Sequence, residues 1–176
     1  EVGDHQAILD AGCTDGRLLA YYLRHFKVRA CGMVNDNARE AIIKGELRDQ
    51  AEILRADRLD IPWRESSFDS VFITFPLRNH METESFLREV LRVLKCNGRL
   101  LISTPCIPFL TRFGIITHSR QDPYLLTDPY QLMQLLESCG FSDISMRISR
   151  LYFATVIAQK SIIRSEGKPA AAASTS

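Results

Sequence analysis

Short apolar runs alternate with helical patterns through most of the chain. "AILDAG" (residues 7–12) is apolar up to its acid and reads as a buried strand. "DGRLLAYYLRHF" (15–26) follows, with Leu18, Leu19, Tyr22, Leu23 and Phe26 at the spacing that gathers them on one helix face. The alternation repeats with strand "VRACGMV" (28–34), amphipathic helix "NAREAIIKGEL" (37–47) and strand "AEILRAD" (51–57). "FDSVFITF" (68–75) is a fourth strand, with Val71, Phe72, Ile73 and Phe75 too apolar for a half-exposed position. "TESFLREVLRVLK" (83–95) is a helix closed by "CNG" (96–98), a turn in which Gly98 can take a positive φ. "RLLIST" (99–104) is the fifth strand.

A less regular segment, "PCIPFLTRFGIITHSRQDPYLL" (105–126), comes next, with three prolines. In "TDPYQLMQLLESCGF" (127–141), Thr127 or Asp128 can cap a helix, Pro129 suits its first turn and Gly140 lies past its end. "ISMRIS" (144–149) and "YFATVIAQK" (152–160) are close enough to form an antiparallel pair. Connections of helix length force the earlier strands to run parallel, with helices on both faces. The fold class is therefore α/β: a Rossmann-like, doubly wound, seven-stranded sheet, mostly parallel with an antiparallel last strand. One domain spans residues 1–162, and 163–176, ending in "EGKPAAAASTS", reads as a low-complexity, disordered tail. Ligands of such sheets bind beyond the carboxyl ends of the strands, near the switch in strand order. The turn after the first strand lies there.

Composition narrows the classes. The 176 residues are 45% hydrophobic and 24% charged, ordinary for one globular domain. A formal charge of +1 and the lack of a basic run give no support to nucleic acid as a partner. Cys13, Cys31, Cys96, Cys106 and Cys139 form no C-x-x-C pair, which fits reduced thiols better than a disulfide framework or a zinc site, so no metal is expected. "EVGDHQ" lacks the pattern of a signal peptide, and no apolar run reaches membrane-spanning length. The expectation is a soluble, cytoplasmic protein without a membrane partner.

The candidate chemistry sits in "LDAGCTDG" (9–16). A nicotinamide fingerprint, G-x-G-x-x-G, fails here because Thr14 and Arg17 replace its second and third glycines. The spacing D-x-G-x-x-x-G instead resembles the first motif of class I S-adenosylmethionine-dependent methyltransferases, with Asp10, Gly12 and Gly16 in place and Thr14 departing. "RADRLDIPWRESSFDSVF" (55–72) resembles the family's second block through Asp57, Leu59, Ile61, Pro62, Phe68 and Asp69. "FLREVLRVLKCNGRLLIST" (86–104) resembles its "E..RvLkpGG.l.is" through Glu89, Arg92, Val93, Leu94, Lys95, Gly98 and Leu100. "LLESCGF" (135–141) matches the "ll..aGF" before the last strands. The likeness covers about residues 7–160, in the style of the type 11 methyltransferase group.

The resemblance implies S-adenosyl-L-methionine as cofactor and assigns roles residue by residue. The turn from Asp10 through Gly12 and Thr14 to Gly16 would approach the methionine part. Asp57 would accept from the adenine amine, with Arg58 behind it, and Thr74 and Phe75 would border the methyl donor. Asp57 and Asp69 also read as strand-end turn formers, and Phe75 as a core aromatic. Relatives carry an acid at the end of the second strand that takes both ribose hydroxyls; here Val34 stands in its place, leaving Asn35 first and Asp36 second as substitutes. Methyl transfer needs alignment and a dry site, and a base only when the acceptor is protonated. His80, just after the fourth strand, is the candidate base, His118 a weaker one. The implied function is methyl transfer to a small-molecule acceptor, with 105–126 contributing to its pocket. The alternative is a catalytically silent methyltransferase-like module that binds a ligand or partner.

Overall fold

The computed structural model describes residues 2–75, 77, 80–105, 129–149 and 153–161. The strands are β1 (Ala7–Asp10), β2 (Arg29–Val34), β3 (Ala51–Arg55), β4 (Phe68–Ile73), β5 (Leu94–Pro105), β6 (Phe141–Ser149) and β7 (Phe153–Lys160). They form one seven-stranded sheet in the order β3-β2-β1-β4-β5-β7-β6. Pairings among β1 to β5 are parallel, while β7 runs antiparallel to both β5 and β6. The described helices are α1 (Arg17–His25), α2 (Asn37–Leu47), α3 (His80–Val93) and α4 (Pro129–Cys139).

Alternation along the strands sorts the apolar residues into two cores. Ile8, Ala30, Ile53 and Phe72 pack with Leu19 of α1 and Ile43 and Leu47 of α2. The neighbouring residues Leu9, Cys31, Val71 and Ile73 point the other way and pack with Phe86, Leu87 and Val90 of α3 and Leu132, Leu135 and Leu136 of α4. Helices therefore cover both faces, as the alternation predicts. No described helix is long and apolar enough to cross a membrane.

Two local readings need correction. The helix α3 starts at His80 rather than residue 83, and β5 starts at Leu94 rather than residue 99. The "CNG" turn is absorbed into β5, where Leu94 pairs with Phe68 and the register shifts before Arg99 reaches Ser70. Within it Asn97, not Gly98, takes the left-handed conformation, at φ 61°. Asparagine tolerates that region. Gly98 serves by lacking a Cβ, which would stand 2.8 Å from the Lys95 carbonyl. Gly140, past the end of α4 as expected, takes a positive φ of 99°.

Candidate active site at the carboxyl edge of the sheet

The strands β1 and β4 are neighbours at the point where strand order reverses, and a crevice opens beyond their carboxyl ends. The turn leaving β1 is tied to both flanking strands: Ala11 N–H donates to Phe72 C=O and Cys13 N–H to Met33 C=O, each at 2.9 Å. Gly16 takes φ 69° to enter α1, a conformation that glycine adopts without strain. Asp10, 3% exposed, accepts from Gly12 N–H at 3.3 Å and from the Cys13 thiol. Burial raises its pKa from 3.8 to about 6, against the pull of those hydrogen bonds. Burial also pushes the Cys13 thiol to about 12, which leaves it inert as a nucleophile near neutral pH.

Phe75, just past β4, lies against Gly12 so closely that a Cβ there would overlap ring atoms Cδ1 and Cε1. The missing side chain thus makes room for this ring. On the ring sits Arg58, its guanidinium carbon 4.0 Å from the centroid, a cation–π contact. Three strand ends meet in this stack. It divides the crevice into a cavity of about 100 Å³ against Gly12, Thr14, Val34 and Asn35 and one of about 280 Å³ against Asp57, Leu59, Leu77, Glu82 and Phe86. Arg58 and Phe75 line both. Each alone falls below the range of about 300–1,000 Å³ usual for small-molecule sites.

The expected site residues separate into groups. Gly12, Thr14, Asn35, Arg58 and Phe75 line the smaller cavity, and Asp57 joins the latter two on the larger. Asp57 Oδ1 accepts from Leu59 N–H at 3.0 Å, so this residue forms the expected turn and lines the cavity as well. Asp36 caps α2: Oδ1 accepts from Arg39 N–H at 2.8 Å and Oδ2 lies 3.3 Å from Arg39 Nε. That engagement directs it into α2, and it lines neither cavity. Asp10, Gly16 and Thr74 also lie off the lining, Thr74 exposed just after β4. Val34 does line the smaller cavity but is only 3% exposed. His80 opens α3; its side chain lies outside the described residues, as do His118, residues 106–126, the cap at Thr127 or Asp128, and the tail 163–176.

Sequence reasoning missed Arg39, Met33 and Ala56 on one cavity and Leu77, Glu82, Thr83 and Phe86 on the other. A signal existed for the last group, since positions 82 and 86 share a helix face. The assembled groups suit a planar, nitrogen-rich ring carrying hydroxyls. Asn35 and Asp57 offer acceptors, and Arg58, seated on the buried Phe75 ring, offers the outer face of its guanidinium.

Residues 9–102 match a family model described as a methyltransferase domain. A demethylmenaquinone methyltransferase of Corynebacterium kroppenstedtii is 37% identical over 129 residues, covering 60% of this chain and 56% of that one. The matched stretches span between 27% and 56% of the length of such curated relatives. A solved SAM-dependent methyltransferase of Methanosarcina mazei shares 18% identity at a TM-score of 0.71, covering 92% of this chain and 95% of that one. A solved cyclase reaches 0.76 at 16% identity, covering 92% and 77%. At such identities the structural likeness concerns the fold alone; one backbone serves more than one chemistry.

Proposed function

Because the chain belongs to the methyltransferase-domain family, we propose that it binds S-adenosylmethionine in the divided crevice and passes the methyl group to a small-molecule acceptor. One observation carries this reading: the turn 12–16 leaves β1 beside β4, with Asn35, Asp57 and Arg58 gathered round it from the ends of β2 and β3. The donor set fits the group. Asp57 accepts from the adenine amine, and Arg58, held on Phe75, lies beside the ring. Asn35 holds the ribose hydroxyls, because Val34 has no polar atom to offer. Residues 11–14 of the turn face the methionine part, with the Gly12 backbone bare except for the Phe75 ring.

The bound cofactor supplies a methyl on a sulfonium, whose leaving group departs neutral and needs no acid. This chain supplies alignment and a water-poor site. The relatives' names point to a quinone-like acceptor, and Leu59, Leu77 and Phe86 give the crevice apolar walls on which a flat ring can lie. Where that acceptor carries a proton, His80 is the base, standing at the start of the helix whose Glu82 and Thr83 line the larger cavity.

A second reading, a silent module, draws on Val34 at the ribose position and on the ring that already occupies the space over Gly12. Calorimetric titration with S-adenosylmethionine and its demethylated product separates the two. Saturable binding of both is expected, weakened by about 1 kcal/mol in Asp57→Ala. No heat with either ligand would sink the cofactor reading and leave the module.

A further inference from the structure

Glu89 and Arg92 belong to the motif "FLREVLRVLK", yet they line neither cavity. Three residues apart on a helix, they read as a solvated ion pair of small worth. The structure gives them more to do. Arg92 Nε and Nη2 donate to the two Glu89 carboxylate oxygens at 2.9 and 2.8 Å. Nη1 donates to Trp63 C=O and Nη2 also to Ile61 C=O, both at 2.9 Å. Glu89 Oε2 in turn accepts from Ile61 N–H at 3.1 Å. The pair thus satisfies three backbone groups of the connection between β3 and β4, where no sheet ladder is at hand. Arg92's hydrogen bonds hold the Glu89 carboxyl below the usual carboxylate range. A guanidinium can do this because its donors form a fixed fork; an ammonium has no such geometry.

Helix α3 therefore acts twice on the larger cavity. Glu82, Thr83 and Phe86 in its first half form one wall. Glu89 and Arg92 in its second half grip the chain just beyond Asp57, Arg58 and Leu59, which line the same cavity. We propose that Glu89 and Arg92 are positioning residues for the crevice: by bracing residues 61–63 against α3 they fix the separation of its walls and the place of Asp57 at the adenine. The inference rests on the cofactor reading above.

Arg92→Lys keeps the charge but not the fork. Its affinity for S-adenosylhomocysteine should fall by up to about fivefold, no further than in Asp57→Ala, whose contact it misplaces. The loss should not add to that of Asp57→Ala, because both act through one contact. Trp63, the chain's single tryptophan, reports the brace without any ligand. Acrylamide quenching of its emission should rise in Arg92→Lys and stay at the parent's value in Arg88→Lys, which alters only the ion pair to Glu84. If Arg92→Lys does not fold, Glu89→Gln and hydrogen exchange of the Ile61 amide in the parent replace it. Cofactor product should then slow that exchange. Raised quenching with unchanged affinity, additive losses or indifferent exchange would overturn the positioning role while leaving cofactor binding intact. A parent that binds no cofactor product would fail the cofactor reading, and this inference with it.

Discussion

The two ends of β1 carry opposite treatments of a carboxylate. At its amino end Asp69, from the neighbouring β4, accepts from Ala7 N–H and from Lys95 Nζ, each at 2.8 Å. At its carboxyl end Asp10 is buried with one long backbone bond and a thiol, and burial outweighs both. The first acid ties β1, β4 and the start of β5 together with partners suited to a charge. The second is held where its charge is disfavoured, beside the turn that opens onto the crevice. Perturbed carboxylates cluster at functional sites, and the turn that follows Asp10 lines the smaller cavity.

Asp10 offers the largest effect. Its folded pKa of about 6 lies above the ordinary 3.8. Between these values the folded chain keeps a proton that the unfolded chain has released. Stability therefore falls as pH rises from about 4 to about 6 and stays lower above, by on the order of 3 kcal/mol at neutral pH. Asp10→Asn removes the charge and keeps an acceptor for Gly12 N–H. It should raise the denaturation midpoint at pH 7, flatten the acid-side slope and weaken cofactor binding. A variant less stable than the parent at pH 7 would erase the contrast between the two ends.

Gly12→Ala comes next. Its Cβ would overlap the Phe75 ring, so the ring must leave and take the Arg58 stack with it. A loss of about 1–3 kcal/mol in urea unfolding is expected from overpacking. Phe75→Leu in the same chain should recover part of it, and no recovery would show that the backbone, not the ring, demands glycine. Asp69→Ala, at the other end, strands Ala7 N–H and Lys95. The group is partly exposed, so the expected loss is about 1–2 kcal/mol, with cofactor affinity unchanged. A change in affinity there would mean the two ends are coupled through β1.

How far the chain was readable follows the range of the interactions involved. Strand and helix alternation is local and periodic, and it yields the seven strands and both helical faces. The start of β5 escaped because its first residues pair across a register shift with Phe68, a tertiary event that overrides the turn signal in "CNG". Gly12, Asn35, Asp57, Arg58 and Phe75 entered as site candidates through the resemblance of their motifs to the family, and all five line one or both cavities. Asp36, the second substitute, stands one residue before α2, where capping claims it. The grip of Arg92 on Ile61 and Trp63 joins residues 31 and 29 positions apart, and no pattern in α3 announces it.

Asn35→Ala should have the smallest effect on stability and speaks most directly to the carboxyl end. The side chain is exposed, so the change should stay within about 0.5 kcal/mol in unfolding. Any effect on ligand binding is then free of folding. If the amide holds the ribose hydroxyls in place of an acid, affinity for S-adenosylhomocysteine should drop by about 0.5–1.5 kcal/mol, the worth of an ordinary neutral hydrogen bond. Val34→Asp is the counterpart. Position 34 is nearly closed to water, so a carboxylate there costs stability on its own, and gains affinity only if the ligand's hydroxyls reach it. Loss in Asn35→Ala with no gain in Val34→Asp would place the ribose on the amide. Gain in Val34→Asp with Asn35→Ala silent would instead mean that the hydroxyls face position 34 and are unmet in the parent.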